Sequence, residues 1–331
     1  PSGAGLNIAY EAADRHVRRG AGDQIAFRFV GATATRSMTY AELAQASNRF
    51  ANVLRRLKVA PGETVFSFAG RIPELYVSAI GTLKARAVFS ALYTNFGEQP
   101  LLARLSKGGG KVLLTTAPLY SRRIASIRKA LPTLDQVIIG GPEPAPPLTS
   151  SFDELMAEAE DSFDIEPTNP EDPAFLHFTS GTTGSPKGAL HVHDSAVSLY
   201  ATASSVLKLR PNDIYWCTAD PGWVTGISYG LVAPLLHGVT MVVDESEFDP
   251  ARWYRIIQDE RVTVLYTAPT AIRMLMKAGS RLARSYDLRS LRLIVSAGEA
   301  LSPEAVRWGR QALNLDIHDT WWQTETGSIV I

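Results

Sequence analysis

Thirty-three Lys and Arg balance thirty-three Asp and Glu across 331 residues, giving a formal net charge of zero and a pI near 7.5. Such a balance excludes the electrostatic footprint of a nucleic-acid binder, so any charged ligand must be gripped locally. A chain this long can bury a large core and is expected to form about two folding units.

In chain order, the N-terminal stretch PSGAGLNIAYEAADRHVRRG lacks the basic-then-apolar order of a signal peptide. The single cysteine, Cys217, rules out an internal disulfide; set in the apolar run IYWCTA, it reads as a small buried hydrophobe. Together these predict a cytoplasmic protein in a reducing compartment. MTYAELAQASNRFANVLRRL has Thr39 as a cap, Glu42 three residues on and apolar residues at helical spacing, which predicts a helix. TVFSFAG, AVFSAL and KVLLTT then read as strands separated by the helices IPELYVSAIGTLKAR and PLLARLSKG. The alternation predicts a largely parallel sheet with helices on its faces, an α/β fold. SRRIASIRKA carries Arg122, Arg123, Arg128 and Lys129 around Ile124 and Ile127 and reads as a solvated helix face.

GGPEPAPPLTSS, from Gly140, is the most linker-like stretch or else a surface loop before the helix FDELMAEAE. A weaker break surrounds LRPND, after which the rhythm resumes with DIYWCTA, the helix ARWYRIIQDER and the strand VTVLYTA. ISYGLVAPLLHGVTMVV is broken by Pro234, His237 and two glycines and is short for a bilayer span, so it reads as buried core with no membrane partner. In LRLIVSAGEALSPEAVRWGRQAL a strand meets a tight turn, and Ser302 caps a helix whose first position is Pro303. The turn GEA therefore sits at the carboxyl end of a strand, where open α/β sheets bind ligands.

The stretch FTSGTTGSPKGALHVH, Phe178 to His193, concentrates hydroxyls and glycines ahead of one lysine. Glycines at 181, 184 and 188 permit close backbone approach and positive φ, so successive N–H groups can hold an anion. Thr179, Ser180, Thr182, Thr183 and Ser185 add hydroxyl donors, and Lys187 adds a mobile cation. Pro186 before the lysine and Gly188 after it exclude the GxxxxGK[ST] phosphate loop. His191 and His193, two apart on a strand, share a face; a hydrogen-bonded pair is favoured over a metal site, which needs further ligands. Arg104, Lys107 and Lys111 are basic candidates for a phosphate-bearing cosubstrate, with no motif to assign them.

TSGTTGSPKG resembles the phosphate-loop signature of the adenylate-forming superfamily of acyl-CoA synthetases, luciferases and peptide-synthetase adenylation domains. TADPGWVTGISYG, LYTAPTAIR, SAGEALSPE and DTWWQTETG resemble its acetyl-CoA synthetase branch and cover most of the second half of the chain. The resemblance implies a ligase that activates acetate with ATP, releases diphosphate and passes the acetyl group from the adenylate to CoA. It also implies the N-terminal domain of that fold, with two layered α/β subdomains, residues 62–205 and residues 1–61 plus 206–331, flanking the nucleotide. The family's small C-terminal domain is missing, so the fragment is expected not to turn over acetate alone.

By the same resemblance, Thr179, Ser180, Gly181, Thr182, Thr183, Gly184 and Lys187 would hold the phosphates, with Thr182, Thr183 and Lys187 acting in catalysis. Gly298, Glu299 and Ala300 would line the adenine. Asp319, Thr320, Trp321, Trp322, Gln323 and Thr324 would lie near the nucleotide, and Glu325 would hold Mg²⁺. Trp322 resembles a wall that shortens the acyl pocket, completed by Trp223, Val224, Thr225 and Ala297, with Thr225 also facing CoA. Ala297 and Ala300 depart from the branch, which is expected to carry valine and proline there. The former enlarges the pocket and makes propionate a competitor, leaving a propionyl- or other short-chain ligase, or a non-catalytic nucleotide-binding relative, as alternatives. Amino-acid adenylation is disfavoured because GWVTG offers no acidic partner for an amine.

Overall fold

The computed structural model describes residues 5–179 and 185–331. The strands among them are β1 (Ile25–Val30), β2 (Thr35–Thr39), β3 (Thr64–Phe68), β4 (Val88–Ala91), β5 (Val112–Thr116), β6 (Gln136–Gly140) and β7 (Ser150–Ser151). They continue with β8 (Pro173–Thr179), β9 (Lys187–Val192), β10 (Ile214–Cys217), β11 (Thr240–Asp244), β12 (Val264–Thr267), β13 (Leu293–Ser296) and β14 (Ile317–Asp319). The chain folds as two compact units, one of residues 1–23, 40–196 and 220–227, the other of residues 24–39, 197–219 and 228–331.

The first unit is built on a seven-stranded sheet in the order β7-β6-β5-β3-β4-β8-β9, parallel except for the β8–β9 hairpin. Every residue of β3 and β4 is buried, as in a parallel sheet covered on both faces. Phe66, Phe68, Leu101, Leu113, Ile124 and Val137 form one side of its core. The helix Tyr40–Arg56 packs on the helix Pro73–Lys84, where a Cβ on Gly81 would lie 2.8 Å from the Phe50 side chain. That contact explains why residues 40–61 join this unit and not the one expected for residues 1–61. Lys84 ends the second helix with its Nζ 2.9 Å from Asp14 and 2.7 Å from Asn48 Oδ1. SRRIASIRKA forms two short helical turns, Tyr120–Ile124 and Arg128–Ala130, with Ile124 and Ile127 inward and Arg122, Arg123 and Lys129 in solvent. GGPEPAPPLTSS runs from the end of β6 through a loop to β7 within the unit, and Ser151 at its end caps the helix Phe152–Ala157.

The second unit has the order β14-β13-β12-β10-β11-β1-β2, parallel except for the β1–β2 pair. Trp216, Trp253, Ile257, Leu265, Ile272 and Ile294 pack one side of it. The apolar stretch from Ser228 forms helical turns through His237 and then β11, and most of its residues are buried. Ser302 caps the helix Pro303–Trp308 through Ala305 N–H, as expected. Cys217 ends β10 half-buried, not fully enclosed. Among the described residues, no helix is long and apolar enough to cross a membrane.

Candidate functional site

In the second unit, the carboxyl ends of β12, β13 and β14 lie side by side, and the stretches expected at the nucleotide follow directly from them. Gly298 leaves β13 at φ 97°, a left-handed conformation that suits glycine and turns the chain across the sheet end. Ser296 Oγ donates to Asp319 Oδ1 at 2.6 Å, and Leu301 N–H donates to the other carboxylate oxygen at 3.3 Å. One carboxylate at the end of β14 thus ties down both ends of the loop Ala297–Leu301. Glu299 in that loop is held from the helix Pro269–Ala278: Thr270 hydroxyl donates to one of its oxygens and Arg273 to the other at 2.6 Å. These partners hold the Glu299 carboxyl below its ordinary range, Thr270 contributing most. Ala300 is exposed in the same loop.

Beyond β14 the chain folds back on itself. Trp321 N–H donates to Ile331 C=O at 2.8 Å, and Thr326 and Gly327 N–H both donate to Gln323 C=O. Ser228 Oγ anchors this segment through Gly327 C=O at 2.9 Å, and Ile329 N–H donates to Tyr229 hydroxyl at 2.8 Å. Thr320 is buried, whereas the Trp321 side chain is exposed. Trp322 is half-buried: its indole donates to Tyr266 hydroxyl at 3.0 Å and meets the Tyr229 ring edge-on, 5.2 Å between centroids. Trp322 and its neighbour Trp321 therefore face different surroundings, and neither is a fully enclosed core residue. Thr324 is half-buried, and Glu325 is exposed with no hydrogen bond to another described residue.

In the first unit, Thr179 at the end of β8 pairs with Lys187 at the start of β9, so the hairpin closes the phosphate-loop candidate at its base. Lys107 Nζ fastens that base through Pro186 C=O at 2.9 Å. Lys187 is exposed. Ser180, Gly181, Thr182, Thr183 and Gly184 lie outside the described residues. Gly188 is a strand residue without positive φ; a Cβ there would come 2.9 Å from Leu176 Cδ1, so packing accounts for it instead. The stretch GWVTG also belongs to this unit. Gly222 passes so close to Tyr93 that a Cβ would lie 2.3 Å from its backbone, and Gly226 sits equally tightly on Asp220. Trp223 is 48 % exposed against Tyr93, 5.2 Å between centroids. Val224 and Thr225 follow, half-buried, in a single helical turn. Of the residues expected at an acyl pocket, Trp223, Val224 and Thr225 belong to the first unit and Ala297 and Trp322 to the second.

The remaining candidates have structural partners. Arg104 is buried, its guanidinium 4.1 Å over the Phe96 ring, and Lys111 pairs with Glu63 at 3.1 Å. His193 is buried and accepts from Ile8 N–H at 3.1 Å, while His191 lies beside the ring of His177, 5.7 Å between centroids. Among the described residues, no group of three or more His, Cys, Asp or Glu is arranged to hold a metal. Tyr266, Thr270 and Arg273, which brace Trp322 and Glu299, lie within LYTAPTAIR; the motif flagged the segment but gave these residues no role.

A family model described as AMP-binding enzyme matches residues 13–331. An acetyl-coenzyme A synthetase of Bacillus subtilis (strain 168) is 44% identical over 328 residues, which are 98% of this chain and 57% of that protein. One from Deinococcus radiodurans is 38% identical over 351 residues, 99% of this chain and 54% of that protein. A crystal structure of Brucella canis acyl-CoA synthetase superposes with a TM-score of 0.89 at 30% identity, covering 97% of this chain and 58% of that one. The chain thus spans about half the length of the curated relatives it matches.

Proposed function

The chain belongs to the AMP-binding enzyme family, and from that premise we propose that its protein is an AMP-forming acetate–CoA ligase. One observation carries the reading: the segments expected to line the adenine and to lie near the nucleotide follow the carboxyl ends of the adjacent parallel strands β13 and β14, tied together by Asp319. The choice of acid rests on Trp322, fixed in place by two tyrosines, and on the relatives named acetyl-coenzyme A synthetase. Ala297 beside β13 keeps propionate as the second substrate to be compared.

In the proposed reaction an acetate oxygen attacks the α-phosphorus of ATP, the bond to the β-phosphate oxygen breaks, and diphosphate leaves. The CoA sulfur then attacks the acetyl carbon, the carbon–oxygen bond to AMP breaks, and the thiol proton is lost to solvent. Gly298, Glu299 and Ala300 present the loop edge to adenine, and Thr320, Trp321, Gln323 and Thr324 line its continuation. Thr179, Ser180, Gly181, Thr182, Thr183, Gly184 and Lys187 are assigned to the phosphates, where fixed donors and a cation offset charge spread over oxygens. The exposed carboxylate of Glu325 would hold a Mg²⁺, since such an ion needs no all-protein cage. When bound, that ion neutralises charge on the departing diphosphate. Thr225 is assigned to the CoA side, and the proximity of the two reactants supplies much of the rate.

The test is acid-dependent exchange of labelled diphosphate into ATP by the full-length protein, followed by thioester formation with acetate, propionate and butyrate. Exchange with acetate, and less with each added methylene, is expected. Absence of exchange with any short carboxylate sinks the reading.

A further inference from the structure

A bulky indole excludes a longer acyl chain only while it keeps one orientation, because a single methylene in an apolar pocket is discriminated by only about 1–3 kcal/mol. What fixes Trp322 is therefore part of the selectivity. An indole N–H can only donate, so Tyr266 hydroxyl accepts from Trp322 Nε1 at 3.0 Å. Thr320 Oγ1 spends its own proton on Ser296 C=O at 2.8 Å. The contact between Tyr266 and Thr320 hydroxyls, at 3.0 Å, is consequently donated by Tyr266. The result is a one-way chain, Trp322 to Tyr266 to Thr320 to the last carbonyl of β13, in which each hydroxyl gives one proton and accepts one.

The two hydroxyls of this chain are shielded from solvent. Tyr266 is fully buried and Thr320 nearly so, and Tyr266 lies in β12, whose backbone is paired to β10 and β13. The Tyr229 ring packs edge-on against both Tyr266, 5.5 Å between centroids, and Trp322, 5.2 Å, closing the far side of the indole. Tyr229 is itself fixed, since its hydroxyl meets Thr202 Oγ1 at 2.7 Å and receives Ile329 N–H. Rotation of the indole would leave the buried Tyr266 oxygen without its donor, and an orphaned buried polar group opposes that movement.

We infer that Tyr266 is a positioning residue for acyl-chain length, holding Trp322 through its hydroxyl in the orientation that admits a short carboxylate. The inference rests on the assignment of Trp322 as the pocket wall. Tyr266 touches no reacting atom; it acts through the indole.

The test is a double-mutant cycle in the full-length protein, with kcat/KM measured for acetate and propionate in wild type, Tyr266→Phe, Trp322→Gly and the pair. Tyr266→Phe is expected to raise the propionate-to-acetate ratio about tenfold, the scale of one methylene's discrimination. Trp322→Gly should raise it further, and Tyr266→Phe should add nothing on that background. A general loss of stability would instead lower both substrates alike and act equally on both backgrounds. If Trp322→Gly shifts the ratio but Tyr266→Phe leaves it unchanged, or shifts it equally without the indole, the inference is overturned. If Trp322→Gly itself leaves the ratio unchanged, the wall assignment fails and takes the inference with it. Should Tyr266→Phe not fold, Thr320→Val breaks the next link and Thr320→Ser keeps it. The valine variant alone must then raise the ratio, and equal ratios in the two overturn the inference.

Discussion

Two buried histidines are expected to make the first unit sensitive to mild acid. His177 in β8 is enclosed beside His191, and burial, reinforced by that neighbour, pushes it down from 6.5 to about 3. His193 follows β9; burial lowers it to about 4, with Asp172 opposing the shift and Arg86 adding to it. Its Nδ1 accepts from Ile8 N–H, and its buried Nε2 has no hydrogen-bond partner among the described residues, so a second ring proton would have to displace the Ile8 contact. The sign follows from proton counting. Between about 6.5 and these depressed values the unfolded chain holds the protons and the folded chain does not, so stability falls as pH falls through that window. At pH 5 the deficit is about 1.5 pH units for each ring, or about 2 kcal/mol each and about 4 kcal/mol together, at 1.36 kcal/mol per unit. That is a large share of a typical domain's about 5–15 kcal/mol. Carboxylates depressed by their partners, such as Asp213 and Glu299, begin to matter only nearer pH 4, so the interval from pH 7.5 to 5 isolates the histidines. Urea unfolding of the full-length protein, followed by amide exchange at Ile8 and along β8 and β9, should show a loss of this size. His177→Phe, beside the stacked Phe175, should remove about half of it. An unchanged midpoint between pH 7.5 and 5, or an undiminished loss in that variant, refutes the reasoning.

Asp319→Asn replaces one acceptor oxygen of the brace across Ala297–Leu301 with a donor. It should raise KM for ATP about tenfold, the scale of a lost charge-assisted hydrogen bond, while leaving the propionate-to-acetate ratio alone; steady-state kinetics separate the two. Glu325→Gln should shift the Mg²⁺ concentration for half-maximal diphosphate exchange upward, about tenfold or more, with little change in thermal unfolding because the side chain is exposed. Lys84→Met strands the Asp14 carboxylate and Asn48 carbonyl that now share a fully buried ammonium. A cost of about 3 kcal/mol is expected from breaking a buried pair on one side, and a shift in urea midpoint equivalent to less than 1 kcal/mol would contradict it.

How far the fold could be read from the chain depended on whether the signal was local. TVFSF, VLYT and LIVS are continuous apolar runs because parallel strands are covered on both faces, and their spacing gave the α/β alternation directly. Amphipathic periodicity in Tyr40–Arg56 showed that one face is buried but not against what. Its partner is chosen by the groove at Gly81, which the periodicity does not encode, and so the helix Tyr40–Arg56 joins the first unit. SRRIASIRKA had helical spacing, yet it breaks into turns, with Arg128 drawn to Leu148 C=O at 2.5 Å. The site divides in the same way. The GEA turn at a strand's carboxyl end, and the resemblance of DTWWQTETG to the acetyl-CoA synthetase branch, marked where ligands should bind. The partners that give those residues their geometry lie far off in sequence: Thr270 and Arg273 for Glu299, Ser296 for Asp319, and Tyr266, fifty-six positions before Trp322. A residue's bulk can be read from its letter. Its orientation belongs to the neighbours the sheet brings beside it, so the proposed pocket is expected to keep its tryptophan and still lose selectivity if Tyr266 loses its hydroxyl oxygen.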